Sequence, residues 1–304
     1  MDECRSKRIL HPLDDSHNKE TERGLYMRTL FLAWQEAATR AWYPIGRLDA
    51  DVANSRFKFR YTHGAEMAQE HSGLQPLDSF PDFHKTYESS DLFPLFRNRI
   101  MGEGREDFKE YVRQLDLNPD HVDPLEILAL TGGERQTDNL EVFPKIERHK
   151  GGGFRCRFFL HGWRHVNESA QQKLLGLKGG EELRVAVELN NPVTVLALQM
   201  ETPDDYHMIG WAPRYLVKDL FRAICEASDD IRAKVVKVNP SPAPTKQRIL
   251  IEIKGRWPVA YVPMSSPEFE PLTGTMPRSN VVVEKAADRI LKTRRTKLEK
   301  QKIG

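Results

Sequence analysis

Residues 154–220 read FRCRFFLHGWRHVNESAQQKLLGLKGGEELRVAVELNNPVTVLALQMETPDDYHMIGWAPRYLVKDL, and their pattern decides the fold. Phe154–Leu160 is apolar and aromatic, as a strand is, and Gly162-Trp163-Arg164-His165 makes a turn after it. Asn167 is placed to cap a short helix ending near Leu175–Gly176, because its side chain can accept from the free N–H groups of a first helical turn. Gly179-Gly180 breaks the chain. Leu183, Val185 and Val187 then alternate with charged or small residues, the period-two signature of a half-buried strand. Asn190-Asn191-Pro192 supplies a turn, Val195–Met200 a second apolar run and Tyr206–Trp211 a third. Pro213 opens a helix to about Glu226, at a first-turn position where its missing N–H costs nothing.

On the C-terminal side, Ala233–Val238 and Arg248–Lys254 alternate in the same way. The proline-rich connector Asn239-Pro240-Ser241-Pro242-Ala243-Pro244 cannot continue a central strand, which predicts a hairpin with a long tip. Residues 257–280 carry prolines and little periodicity, as extended packing does. Val281–Lys302 reads as a terminal helix rich in Lys and Arg. On the N-terminal side, residues 144–153 (PKIERHKGGG) read as a linker. Before it, Leu30–Trp34 and Ala41–Gly46 read as strands joined by a polar turn at Glu36–Arg40. Phe57, Phe59 and Tyr61 alternate with Arg56, Lys58 and Arg60 in a third strand. Ala65–Glu70, Asp107–Leu115 and Pro124–Leu130 have helical character, the last ended by Gly132-Gly133, and Leu140–Phe143 is a strand. Residues 1–23 are polar, of mixed charge and without periodicity, and read as a flexible tail.

A chain of 304 residues is long enough for two domains with real cores. No run reaches the roughly 18 apolar residues of a membrane span, and the charged N-terminus has no apolar signal core, so a cytoplasmic protein without a membrane partner is expected. Cys4, Cys156 and Cys225 are odd in number and far apart, which excludes a disulfide framework or a CxxC site. The formal charge is +2. Any nucleic-acid binding must therefore come from a local basic patch rather than from overall charge.

The blocks Gly162-Trp163-Arg164-His165, Glu188-Leu189-Asn190-Asn191-Pro192 and Ile209-Gly210-Trp211-Ala212-Pro213-Arg214 occur in the order found in HIRAN domains, and residues 154–256 resemble that family. The resemblance implies an α+β fold built on a small OB/SH3-like β-barrel with two helices. It also implies DNA binding without catalysis, typically to recruit an effector to DNA in repair or antiviral defence. Residues 24–143 resemble, more distantly, the N-terminal subdomain of HipA-type kinases. The carrying residues are Ile45-Gly46-Arg47-Leu48, the strand Phe57–Tyr61, Leu92–Arg99 and Asp123–Ala129 followed by Gly132-Gly133. That family has small residues after the glycines, where this chain has Glu134-Arg135-Gln136. Its kinase domain has no counterpart here, so the implied role is binding or scaffolding. A separate effector protein is then a second expected partner. An interaction subunit that does not touch DNA is the alternative reading.

The HIRAN resemblance puts Arg164 and His165 at the DNA surface. A guanidinium offers a planar fork of donors to phosphate oxygens, and a ring can stack on a base. An arginine paired with a nearby carboxylate is the alternative for Arg164. Asn191 stands where the family surrounds a strand end, but Val193 and Thr194 replace the aromatic and the aspartate that follow there, and Asn191 also suits a plain turn. Arg214 and Tyr215 lie at a helix start, where cation and free N–H groups together suit phosphate. Arg294, Arg295 and Lys297 belong to a basic C-terminal stretch that could track a DNA backbone or be a solvated tail.

No catalytic constellation is present: there is no GxSxG elbow, Walker loop, HExxH or pair of CxxC motifs. Glu252-Ile253-Lys254 has the spacing of a nuclease acid and lysine but no evident upstream aspartate. Cys156, His161 and His165 have a spacing faintly suggestive of zinc, which wants three or four converging ligands, but period two sets Cys156 and His161 on opposite strand faces and no second Cys pair supports a site. The expectation is a protein with no enzymatic activity, cofactor or metal.

Overall fold

The chain builds two antiparallel sheets in succession, and a computed structural model describes residues 27–274. The first sheet has the order β4-β3-β2-β1-β5, with β1 at Met27–Gln35, β2 at Trp42–Asp51, β3 at Arg56–Tyr61, β4 at Tyr87–Ser89 and β5 at Leu140–Pro144. Glu36 fixes the β1–β2 turn: its carboxylate accepts from the Ala38 and Thr39 N–H groups and the Thr39 hydroxyl. Four helices lie between β3 and β5: α1 (His63–Ser72), α2 (Pro94–Arg97), α3 (Phe108–Gln114) and α4 (Pro124–Thr131). The α4 boundaries are chemical. Asp123 caps it by accepting from Leu125 N at 2.8 Å, Pro124 occupies the first turn, and Gly132 ends it in the left-handed conformation at φ 73°.

The second sheet has the order β6-β11-β10-β7-β8-β9, with β6 at Gly153–Phe159, β7 at Glu182–Asn191, β8 at Val195–Glu201, β9 at Met208–Trp211, β10 at Arg232–Val238 and β11 at Ile249–Arg256. Helix α5 (Glu168–Gly176) follows β6, and α6 (Arg214–Ala227) follows β9. Asn167 caps α5 as its chemistry predicts, accepting from Ala170 N. The two halves of this sheet are joined by a short pairing: β10 meets β7 at Ala233–Leu183 and Lys234–Glu182, and Val235 extends it by donating to Glu181 O and accepting from Gly180 N, each at 2.8 Å. Its two edges also meet. His161, just past β6, exchanges both backbone hydrogen bonds with Trp211 of β9, each at 2.9 Å. This single bridge is not a ladder, so the protein is mixed α+β with two antiparallel sheets, and a closed barrel is not found.

The sheets are not separate in their cores. On β1, Leu30 and Leu32 pack with Ile45, Leu48, Phe59 and Tyr61, whereas Phe31 and Ala33 on the opposite face pack into the cluster of the second sheet. Strand β5 divides in the same way, with Leu140 and Val142 on one side and Phe143 on the other. Residues 144–153 run from one sheet to the other, and Ile146 is buried in the shared cluster. Helices α3 and α4 complete the junction. Phe108, Val112, Leu115 and Ile127 pack on Phe159 and Leu250, on the outer face of the second sheet.

The described part of the proline-rich C-terminal stretch crosses back over this junction. Trp257 stacks on Phe154 (centroids 4.1 Å apart) and Phe269 packs edge-on against Phe31 at 5.0 Å. Leu272 N then donates to Tyr61 O. Asp219 of α6 holds the strap, accepting from the Tyr261 hydroxyl at 2.8 Å and from Met264 N at 2.9 Å. Desolvation by burial raises the Asp219 carboxyl above the usual range, outweighing those two hydrogen bonds. The folded state therefore binds this proton more tightly than the unfolded chain. Its stabilising contribution is complete below the unfolded carboxyl pKa and is lost as pH rises through the folded one. Asp219→Asn, which keeps an acceptor and removes the charge, is expected to reduce the fall of the urea midpoint with rising pH. An unchanged pH profile would show that Asp219 is not the group responsible.

Residues 1–23 and Val281–Lys302, expected as a flexible tail and a terminal helix, lie outside the described residues. Among the described residues, no helix is long and apolar enough to cross a membrane.

Candidate nucleic-acid interface

The three sequence blocks converge at one corner of the second sheet. Gly162 adopts a left-handed conformation (φ 67°) with Trp211 directly against it, and a Cβ there would sit 2.4 Å from the indole. Glu188 links the other two blocks: its Oε2 accepts from Trp211 Nε1 at 2.8 Å and from Asn191 Nδ2 at 3.0 Å. Desolvation would raise the Glu188 carboxyl, but hydrogen bonds from Asn191, Trp211 and Gln199 outweigh it and hold the pKa low. Asn191 Oδ1 is occupied too, accepting from Val193 N and Thr194 N at 3.0 Å and from the Thr194 hydroxyl at 3.1 Å. Asn191 is thus the turn-former of the β7–β8 hairpin, with its polar atoms used inside the turn.

Beside this corner lies a cleft of about 440 Å³ between the two sheets. One wall belongs to the second sheet: His161–His165, Arg214 at the start of α6, and Thr245 and Lys246 at the β10–β11 tip. The other belongs to the first: Gln35, Arg40 and Trp42 around the β1–β2 turn, and residues 134–141 between α4 and β5. The walls are held by identifiable contacts. Trp163 Nε1 donates to Thr245 O at 3.0 Å, fixing the Gly162–His165 turn against the hairpin tip. Lys246 pairs with Glu134 across the cleft. The buried Arg99 guanidinium grips both Asp138 oxygens and donates to Gly133 O, which fixes the α4–β5 loop.

These pairs consume two of the cleft's three carboxylates. The third, Glu141, accepts from Trp42 Nε1 at 3.4 Å. Desolvation and the neighbouring Glu134 charge push the Glu141 carboxyl up to about 7, against the opposing pull of Arg214. Arg214 in turn has its pKa lowered, chiefly by desolvation, though it stays charged. His161 is exposed to the cleft's solvent, yet desolvation by the surrounding protein depresses its imidazole pKa to about 4, so it is neutral at neutral pH. The Arg135 and Arg164 side chains are exposed and make no hydrogen bond or ion pair among the described residues.

Of the residues expected from the sequence, Arg164, His165 and Arg214 share this cleft. Tyr215, expected at the surface beside Arg214, is instead a core residue. Its ring is buried and stacked on Phe143 with centroids 4.5 Å apart. Successive residues on a helix point about 100° apart, so when Arg214 faces the cleft its neighbour faces inward. Arg294, Arg295 and Lys297 lie outside the described residues. Cys156 is buried in the core, where burial raises its thiol pKa. Among the described residues no group of three His, Cys, Asp or Glu side chains could hold a metal ion. The basic stripe on β3 is largely neutralised, Lys58 by Glu88 at 2.8 Å and Arg60 by Asp49 at 2.7 Å.

Sequence reasoning missed Arg40, Trp42, Arg135, Glu141 and Lys246. A usable signal existed for Arg135: Glu134-Arg135-Gln136 follows Gly132-Gly133 where the resembling kinase subdomain has small residues. Comparison of the chain with protein-family models, curated proteins and solved structures gives no match.

Proposed function

We propose that the protein is a non-catalytic DNA-binding adaptor, and that it holds single-stranded or end-containing DNA in the cleft between its sheets. The observation that carries this reading is the convergence of Arg164 and Arg214 with Arg40 and Arg135 in one cleft where Glu141 is the one carboxylate not paired with a lysine or arginine. Guanidiniums in that setting suit phosphate oxygens, and Trp42, Trp163 and His165 offer ring faces for bases. The HIRAN resemblance supports the same reading, because its first block and Arg214 of its third line the cleft, and the corner where all three blocks converge lies beside it. The near-meeting of the sheet edges at His161 and Trp211 suits a barrel-like module. By the same resemblances, the first sheet and its helices dock an effector, in repair or antiviral defence.

Fluorescence anisotropy with labelled single-stranded, duplex and overhang DNA across a salt series tests the reading. Binding is expected to weaken steeply with salt, because phosphate contacts release counterions. Arg164→Ala is expected to weaken it about tenfold and flatten the salt slope by about one contact, without a change in urea midpoint, since the side chain has no protein partner. Absence of binding at low salt rules the reading out. One observation favours a protein partner instead: Leu189 and Val193 stand exposed at the β7–β8 tip. Co-purification with a protein, lost on Leu189→Ser and Val193→Ser, would support that alternative.

A further inference from the structure

The cleft has more positive charge than an internal phosphodiester requires. Arg40, Arg135, Arg164 and Arg214 come from four different segments, two in each sheet's half of the molecule, and converge on one space. Glu134 is committed to Lys246 and Asp138 to Arg99, which leaves four guanidiniums against Glu141. A phosphodiester carries one negative charge, whereas a phosphomonoester carries about 1.5 to 2 near pH 7 and presents three terminal oxygens. The shape agrees with the charge. Leu140 and Leu160, both core residues, close the floor. The Lys246–Glu134 pair ties the two walls of the cleft together.

The polar groups of the neighbouring Asn191 turn, and the Glu141 carboxylate inside the cleft, already have partners. Thr194 Oγ1 donates within its own turn to Asn191 Oδ1, which also accepts two backbone N–H groups. Glu141 accepts from Trp42. We infer that the ligand of this cleft is a nucleic-acid terminus bearing a phosphomonoester, clamped by Arg164 and Arg214 from the second sheet and by Arg40 and Arg135 from the first. The inference rests on the nucleic-acid reading and deepens it: the first sheet is half of the binding site, not merely a docking platform.

The test uses the full chain and a short single strand labelled internally, prepared with hydroxyls at both ends, with a 5′-phosphate, with a 3′-phosphate, and as a closed circle of the same sequence. A phosphate at one end is expected to tighten binding about tenfold over the hydroxyl-ended strand, and the circle to bind no better than the hydroxyl-ended strand. Arg40→Ala and Arg135→Ala, both exposed, are expected to erase the preference while weaker binding of the hydroxyl-ended strand survives. Equal affinity for phosphorylated and hydroxyl ends overturns the inference and leaves the DNA reading standing, whereas failure of every strand to bind overturns both. Displacement of the strand by a phosphoserine peptide as effectively as by the phosphorylated oligonucleotide would overturn it in favour of a phosphoprotein ligand.

Discussion

Phe143→Ala is expected to cost about 3–5 kcal/mol of folding stability, the range for truncating a buried aromatic whose site cannot collapse. The site is unusually constrained. The Phe143 ring lies 5.5 Å from Phe31, 5.2 Å from Trp42, 4.5 Å from Tyr215 and 6.4 Å from Phe269. One side chain therefore touches two other strands of the first sheet, helix α6 packed on the second sheet, and the returning strap. Collapse around the missing ring would require all of these to move together, so a cavity remains and dispersion contacts are lost on every side. A domain typically has about 5–15 kcal/mol of net stability, so this single change is expected to consume a large part of it. Phe143→Leu, which refills much of the volume, is expected to lose far less. Urea midpoints of both variants check this, read with the strap and helix intact. A loss below about 1 kcal/mol for the alanine variant would mean that the two sheets do not depend on one core.

That dependence was not legible in the sequence, although most of the elements were. The alternation in Arg56–Tyr61 gives β3 with the same limits, and Pro213 correctly marks the entry to α6. These signals are local: each reflects one face of one element. Strand β1 behaves differently. Leu30, Phe31, Leu32 and Ala33 are all buried, because the strand is covered on both faces by different clusters. Its apolar run announces burial but not what buries it. The cleft shows the same division. Arg164 and Arg214 could be singled out because they sit in recognisable blocks. Arg40 and Arg135 sit in loops nearly a hundred residues apart, where charge has no period, and only the packing of the sheets places them opposite Arg164. Glu188 was likewise visible as part of a block, but its role as the common acceptor for Trp211 and Asn191 emerges from tertiary geometry.

Arg214→Glu is expected to weaken strand binding at least about a hundredfold, more than loss of an exposed phosphate contact does, because it changes three things together. It removes a donor fork held near the start of α6, where the helix dipole also favours an anion. It places a negative charge where phosphate is expected to bind. It also sets a second carboxylate beside Glu141, whose pKa is already raised to about 7 by desolvation and Glu134 and is restrained by Arg214. Losing that restraint pushes the Glu141 carboxyl further up, since two neighbouring carboxylates resist joint ionisation. The linkage has a definite sign. A raised folded-state pKa means that the Glu141 contribution to stability is complete below the unfolded carboxyl value and is lost as pH rises through about 7. Arg214→Glu is expected to extend that loss to higher pH. Anisotropy titrations give the affinity, and urea midpoints between pH 5 and 8 give the linkage. Arg214→Lys separates charge from geometry: it is expected to preserve the pH profile of stability while recovering only part of the affinity, because an ammonium keeps the charge without the planar fork. Full affinity in the lysine variant would show that the cleft binds by charge alone, and unchanged affinity in the glutamate variant would remove Arg214 from the interface.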